Sequence, residues 1–181
     1  MTIQEVINLG QILKLDVDMA ADYVNSSDEN FAFKTRVYIR AVASWIEGNI
    51  WMLKQEIPDM VPKKYNQLPL EYKLYLSDMD WSVGDNGKPK IKDKILPTKS
   101  NVKTFFNTMD ILFDDYTVSF DDKDYQHLLS FYKIRNSMMH PKDINELIIS
   151  KEQLYNCEAA AVWVKNEFVK VTNAITKHQK P

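Results

Sequence analysis

The stretch from Asp28 to Glu56, which contains NFAFKTRVYIRAVASWIEGNIWMLKQE, limits the choice of fold more than any other part of the chain. Apolar side chains recur around most of a helical circumference there, which suits a central helix packed among others. Ser26, Ser27 or Asp28 can cap its start, and Pro58 is expected to stop it. One line stays polar: Arg40, Ser44 and Glu47 fall at i, i+4 and i+7 and lead to Trp51. Helical periodicity recurs elsewhere and glycine is scarce (4 residues), so the chain reads as an all-α bundle of about five to six helices.

Thr2 and Glu5 have capping-box spacing and open a first helix ahead of Leu13 and Leu15. Gly10 and the Asp-rich stretch around Asp16 leave its extension to Tyr23 open. Beyond Pro58 and Pro62 a shorter helix is expected over about Lys63 to Ser77. Asp78 to Lys99 differs in kind, with several lysines and an Asn86-Gly87 turn signal between flanks that alternate poorly. It reads as an exposed insertion at about 78–99, either a small β-hairpin or a loop, within one domain spanning 1–181. A fourth helix is expected over Ser100 to Asp115 and a fifth from about Asp121 to Met139, ended by Pro141. Ser150 and Gln153 form a second capping-box pair that opens a last helix reaching Lys177.

At 45% hydrophobic and 12% aromatic residues, the chain has ample material for a core, and its 27% charged fraction is ordinary for a folded protein. A net charge of −2 argues against a broad basic surface wrapped by nucleic acid, while allowing a local basic cleft. Cys157 is the only cysteine, which excludes an intrachain disulfide and makes a thiolate zinc site a poor expectation. No signal-peptide pattern opens MTIQEVINLGQILKLD, and no run of eighteen uncharged apolar residues occurs, so the expected compartment is the cytoplasm, without a membrane span.

In the fifth helix Tyr125, Leu128, Phe131, Tyr132, Met138 and Met139 mark the inward stripe, and Arg135 falls within it. A guanidinium does not lose its charge, so facing inward it needs a carboxylate, a wet groove or an anionic ligand. Glu47 on the polar line of the second helix is a suitable carboxylate, although pairing with Arg40 on its own helix competes for it. His140, directly before Pro141, belongs at the helix's frayed end, where its imidazole can turn toward a groove. Imidazole exchanges protons near neutrality, and a neighbouring arginine can hold a phosphate.

Arg135-Asn136-Ser137-Met138-Met139-His140-Pro141 resembles the signature of HEPN domains, an arginine and a histidine separated by four to six residues, with asparagine directly after the arginine as in many ribonuclease members. The resemblance covers the motif and the helix order and leaves the 78–99 insertion outside it. It implies a small helical bundle that dimerises, placing two motifs in one composite cleft. It also implies a metal-independent endoribonuclease of the toxin–antitoxin or antiviral-defence kind, with RNA as partner, no cofactor, and an antitoxin or companion protein as a further partner. Carried onto this chain, His140 is the general acid or base, Arg135 the phosphate holder, and Asn136 a hydrogen-bonding aid or a dimer brace. Glu47 matches an acidic residue that some members carry on an early helix. One subgroup has a tyrosine two residues after the histidine; Lys142 stands there, so tyrosine adenylylation is not implied.

Arg40, Lys142 and Trp81 are the candidate RNA contacts, Trp81 as an exposed aromatic able to stack on a base. A non-catalytic binding or dimerising regulatory module is the alternative, and a purely structural helical protein is a third reading. His127 reads as surface or core edge, and Trp45, Trp51 and Trp163 as core. Asp110 and Asp114, spaced i, i+4, read as a solvated helix face in preference to a metal site.

Overall fold

The computed structural model describes residues 3–94 and 96–178. It is helical apart from one hairpin: α1 (Ile3–Asn25), α2 (Phe31–Met60), α3 (Pro62–Gln67), α4 (Leu70–Leu76), β1 (Met79–Val83), β2 (Pro89–Asp93), α5 (Thr98–Leu112), α6 (Lys123–Met139), a 3₁₀ turn (Ile144–Leu147) and α7 (Lys151–His178). The all-α bundle expected from the sequence is thus observed, with seven α-helices among the described residues where five to six were expected, and of the hairpin or loop left open for 78–99 the hairpin is found. The Thr2 capping position lies outside the described residues, but α1 runs unbroken through Gly10 to Asn25.

Helix α2 is the hub, packing against α1, α3, α5, α6 and α7, while α6 and α7 form a second close pair. Gly48 lets α1 approach, since a Cβ there would lie 2.5 Å from Leu13 Cδ1. Ile39, Val42, Ile46 and Ile50 on α2 are fully buried and share one core with Phe105, Phe106 and Met109 of α5, Phe131 of α6, and Cys157 and Val164 of α7. Burial pushes the Cys157 thiol up to about 12, so it behaves as a small apolar core residue. Phe106 meets Phe105 at 5.3 Å, Trp163 at 5.6 Å and Phe168 at 5.6 Å between ring centroids. Phe106→Ala is therefore expected to cost about 3–5 kcal/mol through lost transfer energy and the cavity left behind. Urea unfolding checks this, and a loss below about 1 kcal/mol would mean that the site collapses to fill the space.

Several expected boundaries move. Neither Ser26, Ser27 nor Asp28 caps α2. Asn30 holds the N-cap position at φ 57°, a left-handed geometry that asparagine tolerates, without a side-chain cap bond. The two serine hydroxyls instead accept from the buried Lys34 Nζ, each at 2.9 Å. Pro58 does not stop α2, which continues to Met60, because so close to the end the proline forfeits a single ladder bond and Val61 N–H still donates to Ile57 O. The single helix expected over Lys63 to Ser77 is two, since Leu68 before Pro69 is forced into extended backbone (φ −60°, ψ 141°). The Ser150–Gln153 capping box is present reciprocally: Ser150 N–H donates to Gln153 Oε1 at 2.9 Å, and Gln153 N–H to Ser150 Oγ at 3.1 Å.

The hairpin pairs Met79 with Asp93, Trp81 with Ile91 and Val83 with Pro89. Gly87, at φ 72°, closes the turn by donating to Gly84 O at 2.8 Å, while Gly84 N–H donates to Lys88 O at 2.9 Å. That is a three-residue connection ending in a left-handed glycine, which follows the twist of the strands. At its base the buried Lys54 of α2 pairs with Asp78 and lies 4.2 Å from the Tyr75 ring centroid, so the hairpin grows from the C-terminal half of α2.

Candidate functional site: the α2–α6 seam

Asp122 starts α6 by accepting the Tyr125 N–H at 2.7 Å, and His140 ends it as the C-cap, its backbone N–H donating to Asn136 O at 3.1 Å. Between these caps Tyr125, Leu128, Phe131, Tyr132 and Met138 are buried. Arg135 is half-buried at 23% side-chain exposure, so the stripe opens to water at its position. Met139, expected on the inward stripe, is exposed: it follows Arg135 by one turn, on the side of α6 that opens to water.

Arg135 bridges the seam. Its Nη2 donates to Glu47 Oε1 at 3.2 Å, and its Nη1 donates to Asn136 Oδ1 at 3.1 Å. Both are longer than the 2.7–2.9 Å usual for a charge-assisted bond, and the ion pair is partly solvated. The pairing of Glu47 with Arg40 on its own helix is not found. Arg40 is exposed and has no ion pair among the described residues, because Glu47 is turned to α6.

Two cross-links orient the seam. Glu47 meets Arg135, and eleven residues earlier on α2 Arg36 Nη1 donates to Leu147 O, twelve residues after Arg135, at 2.8 Å. The chain beyond Arg135 therefore runs back toward the N-terminal half of α2. His140 lies about 7.5 Å of helix rise beyond Arg135, and Arg40 about 10.5 Å before Glu47. Along their own segments Arg40 and His140 each lie between the two cross-links. Both are exposed, and the His140 ring has no hydrogen-bond or ion-pair partner among the described residues.

At the other end of the line Trp51 is exposed rather than in the core, because it stands on the same open face of α2 as Arg40, Ser44 and Glu47. Trp163 is buried, and Trp45 packs its edge on Phe168 with ring centroids 5.7 Å apart. Trp81 is exposed on the hairpin beside the exposed Met79, Val83 and Ile91. The anchor of that hairpin, Lys54, is about 10.5 Å along α2 from Glu47, on the side away from His140. Lys142 is exposed, its backbone N–H donating to Glu146 Oε2 at 2.7 Å.

Other candidates have plainer settings. His127 is half-buried, with Nδ1 2.8 Å from Asn156 Oδ1. Asp114 pairs with Lys64 at 2.8 Å, a contact that holds its carboxyl below the usual range. No group of three or more His, Cys, Asp or Glu side chains gathers to hold a metal ion among the described residues. There too, no helix is long and apolar enough to cross a membrane.

Two features of the seam escape a reading by motif. Arg36 could have been found, since it precedes Arg40 by one turn on the same polar line. Tyr132 could not. Its hydroxyl is buried with no hydrogen-bond partner among the described residues, an arrangement that costs about 1–3 kcal/mol. Burial pushes this phenol far up, the negative charge of Glu47 pushes it further, and the Arg135 guanidinium offsets part of that.

Comparison with protein-family models, with curated proteins and with solved structures gives no match to this chain.

Proposed function

We propose that the α2–α6 seam binds and cleaves RNA without a metal ion, in the manner implied by the resemblance of Arg135-Asn136 and His140 to the HEPN signature. One observation carries this reading: Arg135 sits half-buried at a helix seam with long, partly solvated bonds to Glu47 and Asn136, and the exposed His140 follows it five residues later at the end of the same helix. A guanidinium in that state is charged, positioned and exchangeable, as a phosphate-binding group must be.

In the proposed reaction the RNA 2′-hydroxyl attacks the adjacent phosphorus as His140 takes its proton. The bond to the 5′-oxygen breaks, and that oxygen receives a proton from the His140 of a second copy in a homodimeric cleft. The products are a 2′,3′-cyclic phosphate and a 5′-hydroxyl, and the protons balance over the two histidines. Arg135 holds the non-bridging oxygens as charge builds on them, and Arg40 supplies a second cation. Asn136 keeps the guanidinium in register through its Oδ1. Lys142 beyond the motif and Trp81 on the hairpin contact flanking nucleotides on opposite sides of Arg135.

The chemistry needs one imidazole neutral and one protonated, so cleavage is expected to rise and then fall with pH. A pH–rate profile on a short RNA in excess EDTA tests this. Cyclic-phosphate ends and a bell-shaped profile support the reading; a rate that only rises with pH, or vanishes on chelation, contradicts it.

A second reading rests on a different observation. The His140 ring has no partner to orient it among the described residues, whereas a catalytic histidine is commonly held by a third group. On that reading the seam binds RNA or a nucleotide without turnover, as part of a dimerising regulatory module. Tight Arg135-dependent binding with no cleavage would select it. An antitoxin or companion protein acting on this chain belongs with either reading.

A further inference from the structure

The buried Tyr132 hydroxyl has no place in the chemistry above and no hydrogen-bond partner among the described residues. It stands one turn before Arg135 on the same face of α6, and of the charged groups Glu47 and Arg135 are the two it feels. Glu47 spends Oε1 on Arg135 through a single N–H at 3.2 Å, and no bond engages its Oε2 among the described residues. In this state the carboxylate covers the guanidinium that an anion would need. If Arg135 turned to a phosphate with no other change, Glu47 would remain half-buried beside that phosphate and without its cation. A carboxylate that is 36% exposed keeps water on its open side when its cation leaves, but on its buried side only the protein can supply a donor. Among the described residues, the buried side chain with an unused O–H beside this pair is Tyr132.

We propose that Tyr132 is a positioning residue: its hydroxyl takes over the Glu47 carboxylate when Arg135 is surrendered to a phosphate, so that Glu47 and Tyr132 form a gate on the anion site. The exchange is balanced in hydrogen bonds, with Arg135–Glu47 and the idle hydroxyl becoming Arg135–phosphate and Tyr132–Glu47. Glu47 thus restrains Arg135 in the empty site and is drawn aside in the filled one. This proposal rests on the reading of Arg135 as a phosphate holder.

The test measures binding of a 2′-deoxy-substituted, uncleavable oligonucleotide to the full chain, in wild-type and Glu47→Gln backgrounds, each with and without Tyr132→Phe. Tyr132→Phe is expected to weaken binding about tenfold in the wild-type background and to change it less than twofold beside Glu47→Gln, because the neutral amide no longer needs the donor. Thermal stability of the ligand-free Tyr132→Phe protein is expected to be unchanged or higher, since the hydroxyl removed had no partner. Oligonucleotide addition should also alter the tyrosine vibrational spectrum in wild type in a way that Tyr132→Phe abolishes. Equal affinity of wild type and Tyr132→Phe overturns the gate, as does the same loss in both backgrounds, which would mark a merely structural role. Binding that is absent in wild type, or unchanged by Arg135→Ala, overturns the phosphate-holder reading itself and the gate with it.

Discussion

Arg135→Ala is expected to slow RNA cleavage by about 10²–10³-fold, the usual cost of removing one preorganised donor from a developing oxyanion. The loss should fall on kcat as well as on KM, because in the proposed reaction the guanidinium faces charge that grows between ground state and transition state. Arg135→Lys should recover only part of the rate. Lysine restores a point charge, but it lacks the planar array of N–H groups with which Arg135 reaches Glu47 and Asn136 from two different nitrogens. The fold should tolerate both changes, since the side chain is 23% exposed and the pair it leaves is partly solvated. Circular dichroism and urea midpoints check that tolerance. A rate within threefold of wild type for Arg135→Ala would remove the arginine from the chemistry.

How much of this could be read in advance depends on which interactions are local. The last helix was legible to the residue at its start, because the Ser150–Gln153 box is a contact between neighbours in sequence. The end of α6 was equally plain, as Pro141 denies the helix a donor and His140 becomes the cap. The hairpin was half legible: Asn86-Gly87 announced the turn, but Met79, Trp81, Val83 and Ile91 form an apolar face that stays exposed, so the usual alternation of buried and wet positions gave little help. Pro58 and Pro69 show the same residue with two outcomes. Two residues before the end of α2 Pro58 forfeits one bond, whereas Pro69 constrains Leu68 and splits a helix.

The candidate site was legible where a motif spans one turn and obscure where two helices meet. Asn136 follows Arg135 and touches it, as the sequence order invites. Glu47 had two possible cations, Arg40 on its own helix and Arg135 across the seam, and only the packing of α2 against α6 decides between them. Trp51 was misplaced for a related reason. Its aromatic character favours burial, but its angular position belongs to the open line of Arg40, Ser44 and Glu47. The orphan hydroxyl of Tyr132 is a property of the surrounding side chains together, and nothing in the residue itself announces it.

His140→Ala is expected to have the largest effect on activity. In the proposed homodimeric cleft the substitution would remove the base from one side and the acid from the other, and each role is worth about 10²–10⁴-fold. The combined loss is on the order of 10⁴-fold. Little stability should be lost, because the His140 ring is exposed and has no partner among the described residues, while its capping bond to Asn136 O comes from the backbone, which alanine retains. The decisive measurement incubates purified wild-type chain and His140→Ala, matched in urea midpoint, with mixed RNA in excess EDTA, and counts 2′,3′-cyclic phosphate ends. Accumulation of those ends with wild type and none above buffer with His140→Ala is the predicted result. Equal accumulation with both proteins, or none with either while RNA is bound, would contradict cleavage at the α2–α6 seam.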